Sequence, residues 1–166
     1  MISELRALGE RYPDSRTAVL PALRLVQEQN GGWLTTKSFE QVGEALGLTP
    51  AYCQAVASFY DMFHLAPVGR HSVEVCTNLS CALVGAQQVV DAFESELGVA
   101  PGETTDEFTL RTVECIGGCG WATVVAVNNR HRLHVSADDV PAIVAELRGR
   151  PFAESATEDR DGDGAD

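Results

Sequence analysis

Through the first sixty residues the apolar positions recur at helical spacing. Ile2, Leu5 and Leu8 predict a short helix that ends before Pro13. Val19, Leu20, Leu23 and Val26 predict a second, capped by Asp14 or Ser15, in which Pro21 either kinks the helix or marks a later start. Gly31-Gly32 stops it. Phe39, Val42 and Leu46 predict a third, capped by Thr35 or Thr36 and closed by Gly47. Thr49-Pro50 is the clearest start signal, a capping hydroxyl followed by proline at the first helical position. The helix it opens runs through Cys53, Val56, Ala57 and Tyr60. Residues 1–68 therefore predict a small bundle of three or four helices, with these apolar positions as its core and Cys53 as a core thiol.

After a connector at 63–70 the period changes. His71-Ser72-Val73-Glu74-Val75 alternates and predicts a strand that leads into Cys76. Ala82 to Leu97 carries Leu83, Val84, Val89, Val90, Phe93 and Leu97 and predicts one helix closed by Gly98. Residues 99–106 read as a loop, and Phe108 to Val113 as a second strand that runs towards Cys115. Thr123–Val127 and His131–Val135 predict a hairpin turned by Asn128-Asn129, since asparagine tolerates positive φ. Ser136 and Asp139 resemble a capping box before a last helix with Val140, Ile143, Val144 and Leu147, with Pro141 moving its start towards Asp138. A right-handed crossover makes the first two strands parallel. The expected class is α+β: a helical bundle over 1–68, then over 69–150 a thioredoxin-like domain with a four-stranded mixed sheet.

The chemistry lies in four cysteines. Cys76 and Cys81 are spaced C-x4-C, Cys115 and Cys119 C-x3-C, and 33 residues separate the pairs. Each pair follows a predicted strand. If those strands are parallel neighbours, both segments emerge at one edge of the sheet, the usual place for a site in an open α/β sheet. Gly117, Gly118 and Gly120 surround Cys119 and let the backbone pass close to a cluster and aim N–H groups at its sulfurs. This pattern points to a [2Fe-2S] cluster held by Cys76, Cys81, Cys115 and Cys119. Zinc held by the same four thiolates is the competing reading, although C-x3-C with a glycine-rich interior is less typical of zinc knuckles. A C-x-x-C dithiol and the plant-type ferredoxin run are both absent. A Rieske-type centre drawing on two of His64, His71, His131 and His134 would strand two cysteines, so all four histidines are expected in solvated or satisfied surface roles.

Charge and composition narrow the class further. The net charge of −12 lacks the basic footprint of a nucleic-acid binder. Six acids against one base from Ala153 to Asp166 supply −5 of it, which predicts an acidic, disordered tail at 151–166 and leaves −7 on the body. Four thiolates around an oxidised [2Fe-2S] core leave about −2, so an acidic surrounding predicts a low reduction potential. No window approaches the ~20 apolar residues of a membrane span, and the N-terminus lacks the pattern of a secretory signal. A reducing, cytoplasmic setting is expected, where clustered cysteines favour metal or redox use. No nucleotide-binding motif and no acid–base or nucleophilic arrangement is present, so no complete active site is expected on this chain.

The stretches Val75–Leu83 and Val113–Gly120, with Leu20–Leu23, Gly31–Leu34 and Val56–Tyr60 in the helical half, resemble the thioredoxin-like [2Fe-2S] subunit of NADH:quinone oxidoreductase (respiratory complex I) across about 14–148. The same module serves NAD-dependent formate dehydrogenases and NAD-reducing hydrogenases. The resemblance implies an electron-transfer subunit whose cluster exchanges electrons with FMN in a partner flavoprotein subunit that also binds NADH. It implies a place at the cytoplasmic face of the inner membrane, reached through the complex and without direct insertion. It makes the helical half a docking element. A free-standing thioredoxin-like ferredoxin is the non-enzymatic alternative, but it would not need that half. One departure is Gly120-Trp121-Ala122-Thr123, where the family usually has Gly-Asn-Ala-Pro or similar. The indole either shields the cluster from water or packs against the domain or a partner.

Overall fold

Helix starts in the N-terminal part follow the hydroxyl and carboxylate caps. In the computed structural model, which describes residues 1–149, the chain divides into two compact units between Val68 and Gly69. The acidic tail assigned to 151–166 lies outside the described residues. In the first unit, α1 spans Ile2–Gly9. Asp14 accepts the Arg16 N–H at 2.8 Å and opens a 3-10 turn, Ser15–Ala18, that passes into α2, Val19–Gln29. The later of the two expected starts is therefore the observed one. Pro21 falls in the first turn of α2, where a missing N–H costs nothing.

Helix α3 spans Thr36–Leu46. The Thr35 hydroxyl accepts the Ser38 N–H and the Ser38 hydroxyl accepts the Thr35 N–H, a reciprocal cap with serine in place of the usual glutamate. Gly47, at φ 68°, closes it. Helix α4, Pro50–Phe59, opens on Thr49, whose hydroxyl accepts the Tyr52 N–H at 3.2 Å, and stops one residue short of Tyr60.

Leu5, Leu23, Val26, Phe39, Val42 and Cys53 meet in the core of this unit, each large aliphatic contributing about 1.5–3 kcal/mol by burial. A buried amide ties the chain after α4 back to α2. Gln27 Nε2 donates to the Met62 carbonyl at 3.0 Å, and Gln27 Oε1 accepts the His64 N–H at 2.8 Å. His64 is thus a buried residue, not a surface histidine: both its backbone groups are bonded inward, the carbonyl accepting the Leu34 N–H at 2.8 Å.

The second unit is built on a four-stranded sheet in the order β2-β1-β3-β4, with β1 His71–Cys76, β2 Phe108–Val113, β3 Val125–Val127 and β4 Arg130–Arg132. Strands β1 and β2 are parallel, and the other two pairings are antiparallel. Two short helices follow β1, α5 Leu79–Leu83 and α6 Ala86–Leu97, and α7, Val140–Gly149, ends the unit. Helices α6 and α7 bury Phe93, Val90, Val140 and Val144 against Val73, Val75, Leu110 and Val125. Asn128 and Asn129, at φ 51° and 62°, turn the β3–β4 hairpin. The Ser136 N–H donates to Asp139 Oδ2 at 2.8 Å and the Ser136 hydroxyl at 2.6 Å. The box opens a short 3-10 turn, Ala137–Asp139, so Pro141 sits harmlessly in the first turn of α7.

Two expectations need correction here. All six residues of β1 are buried. His71 accordingly lies inside, its ring 5.8 Å from that of Phe108 and its Nδ1 3.0 Å from Asn128 Nδ2. The single helix expected over 82–97 is two, α5 and α6, parted by Gly85 at φ 102°. Leu83 and Val84, expected on its apolar face, are exposed as a result.

Candidate iron–sulfur centre

The parallel pairing of β1 with β2 decides where the cysteines go. Cys76 is the last residue of β1 and lies opposite Val113, the last of β2, so Cys115 follows two residues beyond its neighbour at the same sheet edge. The Thr77 N–H donates to the Val113 carbonyl at 3.0 Å and fastens the two exits together. Asn78 then caps α5, its side chain accepting the Leu79 N–H at 2.7 Å. This turn places Cys81 on a helix, not in the expected loop. Cys81 and Cys76 are 2% and 5% exposed and pack with Ala86, Ile116 and Ala122.

The second segment is different. Cys115 and Cys119 are exposed. Between them Gly117 takes φ 86°, and at Gly118 a Cβ would come 2.8 Å from Val124 Cγ2. Cys119 opens a 3-10 turn, Cys119–Trp121, held by the Trp121 N–H on the Gly118 carbonyl at 2.9 Å and by the His134 N–H on the Trp121 carbonyl at 2.9 Å. The Trp121 side chain is 54% exposed, so it is not packed away within its own domain. Of the histidines, only His131 and His134 lie exposed, as expected.

Val124 joins the two segments and carried no signal in the sequence, because it acts through its backbone. Its carbonyl accepts the Cys76 N–H at 3.1 Å, and its backbone also hydrogen-bonds Cys81. Burial pushes the Cys81 thiol up, the Val124 hydrogen bond draws it back down, and the nearby Cys76 and Cys119 raise it further. Cys76, Cys81 and Cys119 are therefore within electrostatic reach of one another. Cys115 shares their sheet edge, but among the described residues no three side chains close into a metal cage as they stand. All five cysteines are free thiols; Cys53 is fully buried in the first unit and takes no part. Four soft thiols on two converging segments, with a glycine bend between the exposed pair, fit an iron–sulfur group by donor chemistry. Zinc fits the same donors.

The sequence as a whole resolves that choice, since residues 5–148 match the thioredoxin-like [2Fe-2S] ferredoxin family. The chain belongs to that family. This thioredoxin-like ferredoxin is 37% identical to the second E-type subunit of NADH-quinone oxidoreductase from Rhizobium meliloti, over 89% of each chain. It is 38% identical to the E-type subunit of NADH-quinone oxidoreductase from Rickettsia conorii, over 84% of this chain and 86% of that one. With NADH-quinone oxidoreductase subunit 2 of Thermus thermophilus it shares 36% identity, over 83% and 78% respectively. Among solved structures its fold is similar to that of an air-oxidised NAD+-reducing [NiFe]-hydrogenase, with a TM-score of 0.65 at 21% identity. The likeness covers 79% of this chain but 23% of the hydrogenase chain, and it speaks to fold alone. No helix among the described residues of this ferredoxin is long and apolar enough to cross a membrane.

Proposed function

We propose that this chain is the electron-transfer subunit of an NADH:quinone oxidoreductase, in which Cys76, Cys81, Cys115 and Cys119 hold one [2Fe-2S] cluster that exchanges electrons with FMN in a partner flavoprotein subunit. The observation that carries the reading is the arrival of both cysteine pairs at the shared exit of parallel β1 and β2. Its support in kind is the run of NADH-quinone oxidoreductase subunits that match nearly the whole chain. When bound, the cluster supplies one-electron storage.

The residues of the chain do the rest. Cys76 and Cys81 fix one side of the site in the packed interior and keep water from it, while Cys115 and Cys119 present the other side to the surface. An electron crossing to or from a partner enters through that open side. NADH and FMN belong to the partner, and this chain completes no active site alone. The helical unit, 1–68, is the docking element and the unit from 69 to 150 the ferredoxin. The protein works on the cytoplasmic face of the inner membrane, attached through its complex.

Anaerobic purification and assay for iron and acid-labile sulfide test this directly. About two irons and two sulfides per chain are expected. A colourless protein carrying zinc instead would overturn the cluster. Co-purification of an FMN-containing polypeptide with the tagged chain tests the assignment to the complex.

A further inference from the structure

On the pleat facing away from α6 and α7, β1 presents Ser72, Glu74 and Cys76, because side chains two apart on a strand share a face. Val73 and Val75 take the other face and join the core with those helices. Glu74 is buried in the central strand. In register it is flanked by Arg111 of β2 and by Ala126 of β3, and Arg111 Nη1 lies 3.7 Å from Glu74 Oε1. Carboxylates are almost never buried unless paired, and a hydrophobic residue at this position would pack without the desolvation cost. The charge stands one same-face step from Cys76, roughly 6.6 Å along the strand.

We infer that the Glu74–Arg111 pair sets the reduction potential of the iron–sulfur group held at Cys76. The inference rests on the reading of the four cysteines proposed above. The two members of the pair are unequally screened: the Glu74 side chain is 8% exposed and that of Arg111 29%. Solvent weakens the field of the guanidinium more than that of the carboxylate. The pair therefore leaves a net negative field at the sheet edge. One-electron reduction adds negative charge there, and Glu74 opposes it while Arg111 offsets part of that opposition.

The test is an EPR-monitored redox titration of the full chain loaded with its cluster, as wild type, E74Q, R111Q and R111K. E74Q raises the midpoint by about tenfold in the reduction equilibrium, which is about 59 mV for one electron. R111Q lowers it by a smaller factor, and R111K, which keeps the charge, holds the wild-type value. An unchanged or lowered midpoint in E74Q, in chains with a full cluster signal, overturns the inference. Should E74Q not fold, R111Q decides: a lowered midpoint supports the inference, and an unchanged or raised one overturns it. A wild-type chain with no [2Fe-2S] signal overturns the reading of the cysteines and this inference together, which distinguishes that failure from the first.

Discussion

The two cysteine pairs are held by different means. Cys76 and Cys81 belong to a strand and a helix, are nearly inaccessible, and pack among apolar neighbours. Cys115 and Cys119 stand exposed in a stretch with three glycines, shaped by backbone hydrogen bonds, while Ile116 between them packs inward. The first pair is thus part of the architecture and exists whether or not metal is bound. The second is a clasp whose final position metal can set. Burial raises the Cys81 thiol, so deprotonation of Cys81 is coupled to metal binding.

The largest effect that can break this contrast comes from deleting one thiol of each pair. Cys81→Ala and Cys119→Ala both lose the cluster, seen as iron content and visible absorption. Their metal-free chains differ. Cys81→Ala leaves a small cavity and costs about 1–2 kcal/mol in urea unfolding, whereas Cys119→Ala stays within about 0.5 kcal/mol of wild type. Equal losses would mean the pairs are built alike.

Alkylation sharpens the same point without a mutation. In the metal-free chain, iodoacetamide labels Cys115 and Cys119 first, while Cys76, Cys81 and the core thiol Cys53 are protected by burial. Peptide mass spectrometry over a time course reads the order. Early labelling of Cys76 would show that its pocket opens without metal.

The smallest effect separates the glycines of the clasp. Gly118→Ala drives a methyl against Val124, itself 1% exposed, and costs about 1–2 kcal/mol. Gly120→Ala meets no atom within 4 Å and changes stability by less than about 0.5 kcal/mol. Thermal melts of the two variants, compared metal-free, check the difference.

Features carried by adjacent residues were legible in the sequence. Thr35, Thr49-Pro50, Ser136 with Asp139, and Asn128-Asn129 each act within a few positions of themselves, and each appears where the pattern put it. The identity of the clustered cysteines was legible for the same reason. What escaped depends on partners far along the chain. Ser72 and Glu74 look like the polar half of an alternating strand and His71 like its polar start, yet all three are buried in β1. Gln27 reaches 37 positions ahead to the His64 N–H, and nothing local announces that bond. The break at Gly85 was a weaker miss: a lone glycine inside a helical pattern is tolerated often enough that periodicity ran through it. In the site, spacing put forward the four cysteines as candidate donors but not that one pair is buried and the other open, since burial comes from tertiary contact.

The parallel pairing of β1 and β2 also imposes an order in time. Two parallel strands cannot meet until the whole crossover between them has been made, and such non-local pairing is a slow step. A ribosome adding about 5–20 residues per second releases Cys119 roughly 2–9 s after Cys76. For that interval the earlier thiols have no companions at the sheet edge. A cluster held by all four cysteines therefore has its full set of ligands only after Cys119 has been made, with two sulfurs set in the packed interior and two reaching out.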